Sequence, residues 1–157
     1  MNKMKVVLIL VCVVMAFTGV GIYASLQSES KLEANTQITV DGNTSKTFKA
    51  QLTGFYPGCT QEYKISLTGD LADNYNVTMS FRNDNKQGGL ENYITVVVST
   101  ADFKLEKPLK DLLDGESIDL GTNANEITIA YTMPTDAGNE AQATTCDFYV
   151  DVTAKNS

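Results

Sequence analysis

The sequence predicts an all-β protein: a single β-sandwich of about seven to nine short strands, behind an apolar N-terminal helix. Three observations carry this expectation. Apolar and polar residues alternate through most of the chain after residue 40, which places successive side chains on opposite faces of a strand. Gly, Pro, Asn and Asp clusters interrupt the alternation at spacings of about ten residues. No long stretch after residue 24 keeps a helical period. The expected organisation is 1–24 as signal or anchor, 25–40 as a flexible lead-in, and 41–157 as the sandwich domain.

Lys3 and Lys5 precede an almost wholly apolar run from Val6 to Phe17, which continues through Thr18-Gly19-Val20-Gly21-Ile22-Tyr23-Ala24. A basic start, an apolar centre of about a dozen residues and a small residue before a polar stretch make an export signal. The centre is short for a spanning helix, which needs about 20 apolar residues. Cleavage between Ala24 and Ser25 is therefore the first reading and an uncleaved membrane anchor the second. Both put the rest of the chain outside the cytoplasmic membrane, secreted or at the cell surface.

Ser25 to Thr36 is polar and without period, a segment free to order against a partner. Gln37, Ile38, Thr39 and Val40 have short strand character before the Asp41-Gly42-Asn43 turn signal. Phe48, Ala50 and Leu52 share a face of the next strand, and Gly54-Phe55-Tyr56-Pro57-Gly58 is a turn in which proline presets φ. Tyr63, Ile65 and Leu67 mark a strand before the Gly69–Asn74 loop. Tyr75, Val77, Met79 and Phe81 mark another before an expected loop from Arg82 to Gly89. Tyr93 to Ser99 is apolar enough for cover on both faces. Phe103 to Leu105 reads as an edge piece stopped by Pro108, Leu109 to Leu113 as a helical turn, and Ser117 to Leu120 as a brief strand. The closing pair is the clearest, Ile127 to Met133 and Cys146 to Ala154.

Composition removes several function classes. Losing Lys3 and Lys5 with the signal takes the formal net charge from −7 to −9, because all 19 acidic residues lie after Ala24. Such a surface repels phosphate backbones and anionic headgroups, so nucleic acid is excluded as a partner, and membrane contact is expected only through an uncleaved N-terminal helix. With no histidine in the chain there is no Ser-His-Asp triad, Cys-His dyad or imidazole zinc ligand. No catalytic, metal or cofactor set is expected. Cys12 lies in the signal core, which leaves Cys59 and Cys146 as an even pair in a disulfide-permissive compartment. A bond between them closes a loop of about 88 residues, worth about 4–5 kcal/mol in the chain-entropy account.

Three stretches together resemble the TasA/camelysin family of exported Gram-positive proteins. They are the signal ending Gly19-Val20-Gly21-Ile22-Tyr23-Ala24, the Phe55-Tyr56-Pro57-Gly58 turn with its following strand, and Met133-Pro134-Thr135-Asp136-Ala137-Gly138-Asn139-Glu140-Ala141-Gln142. In the last, Met133, Pro134, Gly138, Asn139, Glu140 and Gln142 carry the most specific pattern. The resemblance implies a jelly-roll-like sandwich and a place on the cell surface or in a biofilm matrix. Relatives like TasA form fibres by lending an N-terminal strand to the next subunit, and those like camelysin are labelled metallopeptidases. The chain is shorter than such relatives, and its cysteine pair is not a family feature. A histidine-free chain supplies no support for the peptidase label.

Other candidates have plainer readings. Asn83-Asp84-Asn85-Lys86-Gln87-Gly88 suggests a calcium loop, but the position for its bidentate glutamate is Ile94. Asn43-Thr44-Ser45 and Asn76-Val77-Thr78 match the glycosylation pattern by chance. Pro134 ends a strand, Gly138 supplies a turn and Asn139 bonds local backbone, which accounts for the Met133–Gln142 loop without a ligand. Tyr56, Tyr93 and Tyr149 are candidates for an exposed aromatic platform for glycans. The leading expectation is a fibre or matrix subunit that self-associates, or joins other surface proteins, through a strand from the Gln37–Val40 segment. A monomeric module binding a glycan or protein is the alternative, and a camelysin-like metallopeptidase comes after it.

Overall fold

The computed structural model describes residues 29–70 and 74–156. Ala24, Ser25 and the apolar N-terminal run lie outside them, so the signal-or-anchor reading has no structural counterpart here. One compact unit spans Lys31–Ser157.

Among the described residues, ten strands form two five-stranded sheets. They are β1 (Glu29–Lys31), β2 (Asn35–Asp41), β3 (Thr44–Leu52), β4 (Thr60–Asp70), β5 (Tyr75–Gln87), β6 (Thr95–Ser99), β7 (Lys104–Pro108), β8 (Ile118–Thr122), β9 (Glu126–Thr132) and β10 (Cys146–Asn156). A single α-helical turn, α1 (Leu109–Leu112), follows β7. The first sheet runs β1-β3-β10-β5-β8 and the second β2-β4-β9-β6-β7. Strands β3 to β10 pair in nested fashion: β3 with β10, β4 with β9, β5 with β8, and β6 with β7. A long hairpin folded over on itself gives this pattern, which is the jelly-roll solution to sheet edges. Strands β1 and β2 add one position at the same side of each sheet.

Strand β10 is central to the first sheet and shows why these residues make strands. Cys146, Phe148, Val150, Val152 and Ala154 are buried, while Asp147, Tyr149, Asp151 and Thr153 alternate outward. The same alternation in β9 buries Ile127, Ile129 and Tyr131. The two sheets meet through a line of rings. Phe81 and Phe148 have centroids 6.0 Å apart, Phe148 and Tyr131 6.0 Å at 63°, and Tyr131 and Tyr63 5.5 Å at 75°. Tilted and edge contacts of this kind add about 0.5–1.5 kcal/mol each beyond area burial.

Several boundaries differ from the sequence reading. The expected Arg82–Gly89 loop is strand: β5 continues to Gln87, with Phe148 opposite Asn83 and Cys146 opposite Gln87 across a bulge. Its polar residues read as a loop, yet β10 supplies ladder partners. The calcium-loop candidate is thereby an extended segment. β6 has one deep face only, since Val96 and Val98 are buried and Val97 is half-buried on the other side. Pro108 ends β7 from within, tolerated because β7 is an edge strand. The Asp41-Gly42-Asn43 turn joins two different sheets and closes no hairpin, since β2 pairs in parallel with β4.

Tyr131 is fully buried, and its hydroxyl has no hydrogen-bond partner among the described residues. Burial drives its phenol well above the ordinary range. The ring, not the hydroxyl, is what the core uses. Phe148→Ala should lower unfolding free energy by about 3–5 kcal/mol in urea titration, whereas Tyr131→Phe should leave it unchanged or raise it by about 1 kcal/mol.

Candidate functional site

The segment expected to pair with a partner is placed on the chain's own sheet. In β2, Ile38 lies opposite Leu67 and Val40 opposite Gly69, both side chains inward at 2% and 1% exposure. Gln37 and Thr39 face outward beside Ser66 and Thr68. Burying the two apolar side chains contributes about 1.5–3 kcal/mol each. The lead-in is anchored as well: Lys64 N–H donates to Ala34 O (2.9 Å) and Leu32 N–H to Lys49 O (2.8 Å). Residues 35–40 are thus a paired edge strand, not a flexible lead-in. The apolar signal was there in Ile38 and Val40, but only two inward residues show it.

Gly69 makes this docking close. Its φ is +104°, and a Cβ there would meet Val40 O at 2.7 Å and Val40 N at 3.1 Å. Both are backbone atoms of the neighbouring strand, so they give way only if β2 moves. On the far side of β2 no strand pairs among the described residues, leaving an open edge. The link to β3 is only Gly42-Asn43, with Thr44 Oγ1 accepting from Asp41 N–H (3.0 Å).

The two internal stretches that carry the family resemblance converge. Gly58 N–H donates to Met133 O (2.7 Å), Met133 N–H to Cys59 O (2.9 Å), and Cys59 N–H closes the turn onto Tyr56 O (2.8 Å). Met133 is buried, Pro134 O accepts from Ala137 N–H (3.2 Å), and Asn139 starts a 3₁₀ turn that Gln142 caps through N–H to Asn139 O (3.1 Å). Glu140 is exposed. The Asn139 side chain does not bond local backbone as expected: its Oδ1 accepts from Gln142 Nε2 (3.3 Å), and Gly138 has extended dihedrals (φ −77°, ψ 173°), so it supplies no special turn. The left-handed position in this connection is Ala143, with φ 66°. A cleft of about 320 Å³ beside the loop is lined by Tyr93, Pro134 and Asp136 among others.

The expected Cys59–Cys146 bond is not formed. Cys146 is buried at the start of β10 in the first sheet, and Cys59 is half-buried just before β4 in the second. Burial, then the charge of Glu91 and a hydrogen bond with it, push the Cys146 thiol up to about 12. Sequence counting paired them because they are even in number, but an even count says nothing of whether two Cβ atoms lie within bonding reach.

The three tyrosines do not assemble a platform. Tyr56 protrudes from its turn at 59% exposure and Tyr93 lines the cleft by Pro134. Tyr149 lies on the outer face of the first sheet between two cations, Arg82 4.8 Å and Lys49 5.6 Å from the ring centroid. Beside it, Asp151 accepts hydrogen bonds from Thr47 Oγ1 (2.6 Å), Arg82 Nε (2.5 Å) and Arg82 Nη2 (3.1 Å). No group of three or more Cys, Asp or Glu arranged to hold a metal occurs among the described residues.

No family model and no curated protein matches the chain. Solved structures give distant likenesses. The full extracellular region of zebrafish Gpr126/Adgrg6 matches at 16% identity over 79% of this chain and TM-score 0.45, and this chain spans only 15% of that one. FLHE matches at 12% identity, 74% and 100% coverage, and TM-score 0.42. Salmonella Typhimurium PliG, a periplasmic inhibitor of g-type lysozyme, matches at 12% identity, 76% and 98% coverage, and TM-score 0.40. Likenesses this remote carry no function across. No helix among the described residues is long and apolar enough to cross a membrane.

Two outcomes follow from these contacts. Gly69→Ala should loosen β2 selectively, with hydrogen exchange at Ile38–Val40 amides accelerated at least about tenfold while β10 amides keep their protection. Burial alone would raise the Asp151 carboxyl, but the bonds from Arg82 and Thr47 hold it below its ordinary 3.8. Its stabilising contribution is therefore complete above pH 3.8 and disappears as pH falls through the lower folded value. In acid titrations followed by circular dichroism, Asp151→Asn should reduce stability at neutral pH and flatten the loss below pH 4.

Proposed function

We propose that the protein is an exported structural subunit that assembles by exchanging β2 between copies, building a cell-surface or matrix fibre. The observation that carries this reading is the edge strand β2, held to the rest of its sheet by parallel pairing with β4 and joined to β3 by two residues. A second copy's β2 presents the same Ile38 and Val40 to the same Leu67 and Gly69, so exchange recovers each contact it breaks. Main-chain hydrogen bonds supply affinity and the two inward side chains fix register. Each copy gives one strand and receives one, a head-to-tail contact that propagates. The N-terminal signal and the resemblance to TasA-like proteins support the extracellular setting. The absence of histidine weighs against the peptidase label, and the cation-flanked Tyr149 against a glycan platform.

Deleting Ser25–Val40 should abolish filaments seen by electron microscopy and lower thermal stability. A synthetic peptide of residues 34–41 should restore that stability in trans. Filaments that persist without the segment would refute strand exchange, and monomers under all conditions for the intact chain would favour a solitary binding module.

A further inference from the structure

The outer face of the second sheet has a charge pattern that the strand pairing makes readable. On β9 and β6, opposite residues pair as Thr132 with Thr95, Ala130 with Val97, and Thr128 with Ser99. β4 continues these rows with Thr60, Glu62 and Lys64, and β7 continues them on the other side with Pro108, Glu106 and Lys104. One row therefore reads Glu106-Val97-Ala130-Glu62, and the next reads Lys104-Ser99-Thr128-Lys64. The middle of these two rows is small and uncharged, and their flanks carry one sign per row; Glu126, exposed on β9, lies one row further on, opposite Ser66. Glu62, Lys64, Lys104 and Glu106 are exposed and make no ion pair among the described residues.

We infer that this face docks a second copy of the chain, face to face about a two-fold axis. An axis lying in the face, parallel to the rows and midway between them, sets Glu62 and Glu106 of one copy over Lys64 and Lys104 of the other. By symmetry the reverse pairs form too, giving four opposed charge contacts around an uncharged centre. The other in-plane axis, parallel to the strands, sets Glu106 over Glu62 and Lys104 over Lys64. Like-charge juxtaposition rejects that arrangement, so the pattern selects a single docking. Small residues on β6 and β9 let the sheets approach, and aligned sheets stack with a rotation of about 30° that long Lys and Glu side chains span.

Four strands about 4.8 Å apart and about six residues long outline roughly 400 Å² per copy. That is the size of a weak, reversible contact. The dimer is therefore concentration-dependent and weakened by salt, which screens exposed charges. This contact does not depend on β2 exchange and uses none of its residues.

The test is sedimentation velocity of the full chain in a non-ionic detergent at low ionic strength. The unchanged protein should show a reversible monomer–dimer equilibrium. The double variants E62K/E106K and K64E/K104E should each self-associate at least about tenfold more weakly. Mixed one to one, the two variants should associate again, because an all-basic rim then meets an all-acidic one. Carbodiimide cross-links between isotope-labelled and unlabelled copies should join position 62 to 64 and 104 to 106. A monomeric unchanged protein, variants that dimerise as before, or a mixture that stays monomeric would each overturn the inference. Filaments lost on deleting β2 leave this dimer intact, and a dimer lost by charge reversal leaves strand exchange intact, so the two failures are separable.

Discussion

The contact between Phe148 and Tyr131 is the one the rest of the sandwich depends on. Phe148 belongs to the central strand of one sheet and Tyr131 to the central strand of the other, so their rings meet between the middles of the two sheets. Phe81 and Tyr63 extend the line into neighbouring strands. With the sheets spaced by these rings, the inward positions along β9 and β10 are buried. Each outward position is left to solvent or to another molecule. The division between an interior that tolerates no change of volume and faces that tolerate a great deal is set at this point.

Much of this was legible in the alternation itself. Ile127-Thr128-Ile129-Ala130-Tyr131 and Phe148-Tyr149-Val150-Asp151-Val152 each declare which side chains go in, because a buried face must repeat every second residue. The core list follows almost directly. Topology was not legible that way. Nothing local in Thr44–Leu52 says that its neighbour is β10, about a hundred residues later, and nothing in Asp41-Gly42-Asn43 says that the turn passes between sheets. The polar run from Arg82 to Gln87 concealed a strand because its partner is remote in sequence. Turn residues signal a change of direction, not the strand reached afterwards.

The site was less legible than the fold. Cysteine parity suggested a bond, but parity has no geometry, and both thiols are free. The Met133–Gln142 stretch is pinned by its own backbone and by the Tyr56–Cys59 turn, contacts visible only once the chain is folded. Alternating charge along β4 or β7 says nothing, within either segment, about which residues stand beside it. It takes the register of four strands to align Glu62 with Glu106 and Lys64 with Lys104.

The shortness of the Gly42-Asn43 link governs the mechanical character of any assembly built through β2. Two residues reach at most about 7 Å, so a donated strand cannot wander before it enters its acceptor. Donor and acceptor bodies must abut, with little room to swivel. A chain of such units would bend as a rod bends, through strain shared across many joints, and its axial repeat would be set by the breadth of one sandwich instead of by a tether.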